Sequence, residues 1–312
     1  MSNTSIFVRL ATVSLWLLVD TTITLSLPAT AAKSKIEFLG QATLPTNTQF
    51  KGTEVGGLSG ITYDRSKNVY YSISDDRSNK APARFYTLKL DLSKGSLKKV
   101  DILNVTTLLK ADGKPFPALS LDPEGIALAK NGRLYISSEG DSDRLIKPFV
   151  NQFSASGKQT QVLPIPPKFL PTAKKNKGIR NNLAFESLAI APSQKYLFTA
   201  TENALYQDGN TATISQGSPV RIIKYNLSTF KPIQEYLYIT QPIAGTPNTA
   251  SFSNNGLVDL LAIDDNRLLS LERSFSPSIG NTIRLYEVDL TKANDISKIA
   301  SLKADNIKKI KP

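Results

Sequence analysis

Four times along the chain a short apolar strand, a turn, a second apolar strand and an acidic turn follow one another in the same order. This repetition restricts the available folds more than any other feature of the sequence. The first unit is Ser59-Gly60-Ile61-Thr62-Tyr63-Asp64 with Val69-Tyr70-Tyr71-Ser72-Ile73-Ser74-Asp75-Asp76. The second is Asp122-Pro123-Glu124-Gly125-Ile126-Ala127-Leu128 with Arg133-Leu134-Tyr135-Ile136-Ser137-Ser138-Glu139. The third is Phe185-Glu186-Ser187-Leu188-Ala189-Ile190 with Tyr196-Leu197-Phe198-Thr199-Ala200-Thr201-Glu202, and the fourth Val258-Asp259-Leu260-Leu261-Ala262-Ile263 with Arg267-Leu268-Leu269-Ser270-Leu271-Glu272. Ser59, Glu124, Glu186 and Asp259 head the units, 65, 62 and 73 residues apart. A third strand pattern follows each hairpin, as in Arg84-Phe85-Tyr86-Thr87-Leu88, and a fourth follows in most units. The period is two and the residues are β-branched or aromatic, so these are strands rather than helices. The sequence therefore predicts an all-β chain, a β-propeller with four-stranded antiparallel blades. A pair of β-sandwiches would not repeat its sequence unit by unit.

Such a repeat gathers its acids. In an antiparallel hairpin the start of one strand lies beside the end of its partner, so a carboxylate before the first strand and one after the second emerge at the same end of the sheet. Glu124 is expected to pair this way with Glu139, Glu186 with Glu202, and Asp259 with Glu272; in the first unit Ser59 replaces the leading acid and Asp75-Asp76 follow. Radial repetition brings these groups to one face, where they repel one another unless a cation or a guanidinium neutralises them. Calcium, bound by six to eight oxygens, suits the expected ligands Asp75, Asp76, Glu124, Glu139, Asp141, Glu186, Glu202 and Glu272. Arg77, Arg144 and Arg273 accompany the acidic turns, and Arg180 closes a long irregular stretch over residues 164–182. These four arginines are the candidates for holding a phosphate oxyanion.

Composition removes several chemistries. The chain has no histidine and no cysteine, which excludes a Ser-His-Asp triad, a thiol nucleophile, His/Cys zinc sites and disulfides. Gly57-Leu58-Ser59-Gly60 has the wrong glycine spacing for a nucleophile elbow. The net charge of +12 and pI of about 9.6 favour anionic partners. Without an arginine-rich stripe interleaved with aromatics, nucleic acid is not expected among them.

Residues 6–19 form an apolar run with Arg9 as the one positive charge, and Ala29-Thr30-Ala31 follows. This order of a basic start, a short apolar stretch and a small-residue site predicts a signal peptide over 1–31 and a mature domain over 32–312, exported to the periplasm or the exterior. Asp20 interrupts the run, which argues against a membrane anchor. Cleavage after Ala32 is the alternative, and Trp16, the single tryptophan, leaves with the signal.

The chain resembles the bacterial phytase-like family described by an esterase-like activity of phytase. The likeness rests on Gly57-Leu58-Ser59-Gly60, Ser74-Asp75-Asp76, Ala83-Arg84-Phe85-Tyr86, Asp122-Pro123-Glu124-Gly125 and Ser137-Ser138-Glu139-Gly140-Asp141. It continues through Asn182-Leu183-Ala184-Phe185-Glu186, Thr201-Glu202, Asn255-Gly256-Leu257, Leu271-Glu272-Arg273-Ser274-Phe275 and Asn281-Thr282-Ile283-Arg284-Leu285-Tyr286. The resemblance implies phosphoester hydrolysis carried by recurrent acids, here Glu124, Glu139, Glu186 and Glu202. Calcium as cofactor, a small anionic phosphoester as substrate, a monomer and no stable membrane insertion after signal cleavage are also expected. The resemblance also implies a further acidic blade after Pro312, so that the fold is incomplete at the C-terminus and residues 36–44 pair with the absent strands. A lactonase-like or other esterase propeller, and a non-catalytic binding propeller, are the competing readings, because fold alone does not choose among them.

Overall fold

The computed structural model describes residues 37–245 and 252–312; the signal peptide expected over 1–31 lies outside them. A two-strand ribbon, β1 (Gln49–Phe50) and β2 (Thr53–Glu54), precedes four antiparallel sheets arranged as propeller blades. The first blade is β3 (Leu58–Asp64), β4 (Val69–Ser74), β5 (Arg84–Asp91) and β6 (Lys99–Thr107). The second is β7 (Pro123–Leu128), β8 (Leu134–Ser138), β9 (Phe149–Phe153) and β10 (Gln159–Leu163). The third is β11 (Phe185–Ile190), β12 (Tyr196–Thr201), β13 (Pro219–Asn226) and β14 (Lys231–Ile239). The fourth has three strands, β15 (Asn254–Ala262), β16 (Arg267–Ser276) and β17 (Gly280–Asp289). Each blade pairs its strands in chain order, and the first strands β3, β7, β11 and β15 adjoin in sequence around a central channel. The expected strand over residues 36–44 is not formed: residues 37–45 carry no ladder, and the Leu39 carbonyl accepts one hydrogen bond from Leu97 N. Among the described residues no helix is long and apolar enough to cross a membrane.

The apolar positions of the repeat fill the seams between blades. Ile73, Phe85, Leu134 and Phe153 pack in the first seam, Tyr135, Val150, Phe185 and Leu197 in the second, and Phe198, Ile222, Leu257 and Leu268 in the third. Each of these large side chains contributes about 1.5–3 kcal/mol by leaving water, and with no disulfide the seams hold the blades in place. The irregular stretch 164–182 is anchored near its start, while Lys174, Lys175 and Lys177 are exposed. Its turn Pro167–Phe169 buries Phe169 against Phe185, ring centroids 5.4 Å apart. Lys168 Nζ reaches Glu235, 3.2 Å away, and the carbonyls of Ser297 and Ile299.

Glu235 belongs to a four-charge network. Arg221, fully buried, donates Nε and Nη2 to Asp208 at 2.6 and 2.9 Å and Nη1 to Glu235 at 2.9 Å. Asp208 Oδ1 also accepts Leu302 N at 2.8 Å. Two acids and two bases thus cancel inside the protein, and they tie the segment after β17 onto β14, where Ile296 and Leu302 pack on Leu237.

Candidate functional site

A bulge at the same end of each inner strand builds the site. In β7 the pairing with β8 shifts between Pro123 and Ile126, and in β11 the pairing with β12 shifts between Phe185 and Ser187. The extra residues include Glu124 and Glu186, which the bulge re-aims toward the neighbouring blades. Glu139 and Glu202 stand just past the ends of β8 and β12. The result is two overlapping carboxylate groups. Asp122, Glu124 and Glu139 form one and Glu139, Glu186 and Glu202 the other, each offering oxygens within 4.8 Å of one another. Glu139 belongs to both. All four glutamates proposed from the sequence as catalytic therefore converge.

Burial and mutual repulsion keep this cluster protonated to unusually high pH. Glu139, 1% exposed, is raised well above the ordinary carboxylate range by burial and then by Glu186, Glu124, Glu202 and Asp122. Burial, with Glu124 and Glu202, does the same to Glu186. Burial carries Glu124 to about 8, against the hydrogen bond that Ser59 Oγ donates to its Oε2 at 2.5 Å. Glu202 is pushed up to about 7 by burial, opposed by Arg273 and by the hydrogen bond from Asn254 Nδ2 at 2.9 Å. Burial also raises Asp122, to about 6, against the pull of Arg77, whose Nε lies 3.3 Å from Asp122 Oδ2. One oxygen of Glu139 accepts the backbone N–H of Ala184, while Oε2 is buried with no hydrogen-bond partner. With one buried oxygen of Glu139 left unpartnered among four other acids, these carboxylates are a group that could hold a metal ion.

Asp122 was not among the residues chosen from sequence, although it stands two before Glu124, the spacing that returns a strand to the same face. Asp75 is exposed and adds charge beside Asp122 and Glu124. The other expected ligands are used elsewhere. Asp76 accepts the N–H groups of Asn79, Lys80 and Ala81 and pairs with Arg84 at 2.7 Å. Asp141 accepts the N–H groups of Asp143 and Arg144 and pairs with Arg77 at 3.2 Å. Both close their own loops, the local duty for which Asp is well suited.

Glu272 corrects the reading of the fourth unit. It is fully buried, accepting from Tyr238 Oη at 2.6 Å, Asn255 Nδ2 at 2.8 Å and Gln241 N, outside both carboxylate groups. The strand register explains why. Phe185 faces Thr201 before the β11 bulge, whereas Leu257 faces Glu272 before the β15 bulge. Glu272 thus occupies the place of Thr201. Val258 stands where the other blades carry Ser59, Glu124 and Glu186, and Arg273 stands where they carry Asp75, Glu139 and Glu202. Asp259 does not face Glu272 either; it pairs with Leu271 and lines the axial channel with Ile61, Leu188 and Leu261. One residue of slip moves every side chain of a strand to its other face.

Of the four arginines, Arg273 faces the cluster, exposed and with no hydrogen bond or ion pair among the described residues, and its charge opposes the upward shifts of Glu186 and Glu202. Arg77 reaches the cluster but is paired with Asp122 and Asp141. Arg144 donates to the Leu119 carbonyl at 2.7 Å. Arg180 donates to the carbonyls of Ala204 and Gly209 and lies 4.3 Å from the Tyr206 ring centroid, which fastens a loop. Gly256 is needed beside Glu202, because a Cβ there would meet the glutamate side chain at 2.3 Å.

Blades around an axis with a buried acidic cluster at one end define a β-propeller with an acidic candidate site. The comparison with known sequences gives the family: residues 53–312 match the phytase-like family described as "Esterase-like activity of phytase", and the chain belongs to it. It is 23% identical over 222 residues to an uncharacterized secreted protein of Arthroderma benhamiae, covering 60% of this chain and 42% of that one. The chain thus spans less than half the length of this relative, whose description as secreted is consistent with export. Among solved structures it is similar to an endo-arabinase from Bacteroides thetaiotaomicron, with 16% identity, a TM-score of 0.43, and 78% and 77% of the two chains covered. It is also similar to a periplasmic gluconolactonase from Pseudomonas aeruginosa, with 11% identity, a TM-score of 0.33, and 77% and 74% covered.

Proposed function

We propose that the protein is an exported hydrolase of phosphoester bonds, acting as a monomer on a small anionic substrate with calcium held by its buried carboxylates. The observation that carries this reading is the position of Glu139, shared by both carboxylate groups and keeping one buried oxygen without a partner. Asp122, Glu124, Glu186 and Glu202 complete an all-oxygen donor set of the kind calcium takes. Bound there, calcium supplies positive charge that neutralises the cluster and polarises a phosphoryl oxygen. Arg273, whose side chain has no other partner among the described residues, supplies the guanidinium that holds a second phosphoryl oxygen. A carboxylate of the cluster is the group placed to accept a proton from an attacking water. The periplasm or the exterior, where calcium is plentiful, is the compartment that fits.

A panel of phosphate esters and lactones, assayed with calcium and with a chelator, tests the proposal. Phosphoester cleavage should appear only with calcium, and Glu139→Gln should lower kcat/KM by about 100-fold, the scale of losing a key polar group. Cleavage confined to lactones, or phosphoester cleavage indifferent to the chelator, would overturn it.

A further inference from the structure

A cavity of about 490 Å³ opens beside Glu202 and Arg273, at the fourth-blade side of the acidic cluster. One wall is aromatic: the rings of Phe252 and Phe275 stack with centroids 6.2 Å apart and planes inclined by 27°. Phe252 is 74% exposed, so its ring face is open to the cavity. Amide and hydroxyl side chains also line the cavity, among them Asn182, Asn281, Thr211 and Ser253. Asn254 lines it, but its Nδ2 is given to Glu202 and its Oδ1 accepts from Asn203 at 3.4 Å, so little of it remains for a ligand's hydroxyls. Asn181 contributes a carboxamide oxygen that is shielded from solvent and has no donor among the described residues.

Glu202 and Arg273 line this cavity, so the alcohol part of an ester whose phosphoryl group they hold would enter it. Because Phe252 leaves a ring face open at the cavity beside Arg273, we infer that the alcohol part is a planar aromatic or heteroaromatic group that stacks on Phe252 and Phe275. This assigns the two phenylalanines as specificity-determining residues, and it rests on the phosphoester reading. Stacking on one aromatic side chain is worth about 1–3 kcal/mol, a preference of about tenfold or more.

Titration calorimetry with phenylphosphonate and methylphosphonate, neither of which can be hydrolysed, reads this preference directly on the calcium-loaded protein. Phenylphosphonate should bind about tenfold more tightly than methylphosphonate. Phe252→Ala and Phe275→Leu should each remove most of that advantage and leave methylphosphonate unchanged. Phe252 is exposed, so its variant keeps the fold. Equal binding of the two phosphonates, or an advantage surviving in both variants, overturns the inference. If phenylphosphonate is preferred while no phosphate ester is cleaved, the ring subsite stands and the hydrolase reading falls. If esters are cleaved with the same phenyl-to-alkyl ratio of kcat/KM in wild type and both variants, the hydrolase reading stands and the subsite falls.

Discussion

Replacing Glu124 by glutamine should stabilise the calcium-free protein at high pH and destabilise it relative to wild type when calcium is present. The carboxyl rises from 4.5 in a free chain to about 8 in the fold, pushed by burial and by Asp122, Asp75 and Glu202. A group whose folded pKa is raised binds its proton more tightly when folded. Its contribution is therefore fully present below pH 4.5 and is lost as pH climbs, the loss being complete above about 8. At about 1.4 kcal/mol for each factor of ten, the ionised carboxylate costs the empty site about 5 kcal/mol. The neighbouring glutamates share the repulsion and redistribute it when one charge goes, so about 2–3 kcal/mol should remain as the measured gain. Glutamine keeps an oxygen to accept the Ser59 hydrogen bond and cannot ionise.

Equilibrium urea unfolding of wild type and Glu124→Gln, at pH 5 and pH 8.5 in chelator, measures this. The two proteins should be nearly equal at pH 5, and the variant should be ahead at pH 8.5 by a margin equivalent to about 5–10 °C in Tm. Adding calcium at pH 8.5 should reverse the order, because wild type then gains binding free energy that the variant lacks. A variant that is destabilised by the same amount at both pH values, with or without calcium, would refute the reasoning.

Two further outcomes follow from the packing. Arg221→Met should cost about 3–5 kcal/mol in a urea titration, since it strands Asp208 and Glu235 in the interior; a loss under 1 kcal/mol would mean the network is not buried as described. Gly256→Ala should blunt the calcium-induced rise in Tm while leaving the metal-free Tm within a few degrees, because the added methyl displaces Glu202. An unchanged calcium response would remove Glu202 from the ligand set.

Much of this architecture was legible because the repeat and its strand period are written in apolar residues. Seam residues such as Phe85, Phe153, Phe185 and Phe198 sit where alternation puts them, and the hairpin rule alone brought Glu124, Glu139, Glu186 and Glu202 together. Loop duty was not legible. Asp76 and Asp141 look like their clustered neighbours until the N–H groups they accept are seen, and such bonds depend on backbone turns that no residue pattern fixes.

The fourth blade shows a sharper limit. Aligned by its acids, Asp259 and Glu272 match the other units. Aligned by its core, Leu257 and Leu268 take the places of Phe185 and Leu197, all fully buried, and the acids fall one position out of step. The apolar match governs, since exposing either leucine would cost about 1.5–3 kcal/mol while Glu272 finds three hydrogen-bond donors where it lies. The consequence is chemical. The ring of carboxylates is broken by Arg273, giving the acidic cluster one cationic edge, and that edge is also where the aromatic cavity opens. A site acidic on every side would bind a cation and repel an anionic ester. Under the proposed function, the slipped blade supplies the positive group that would let both meet at one place.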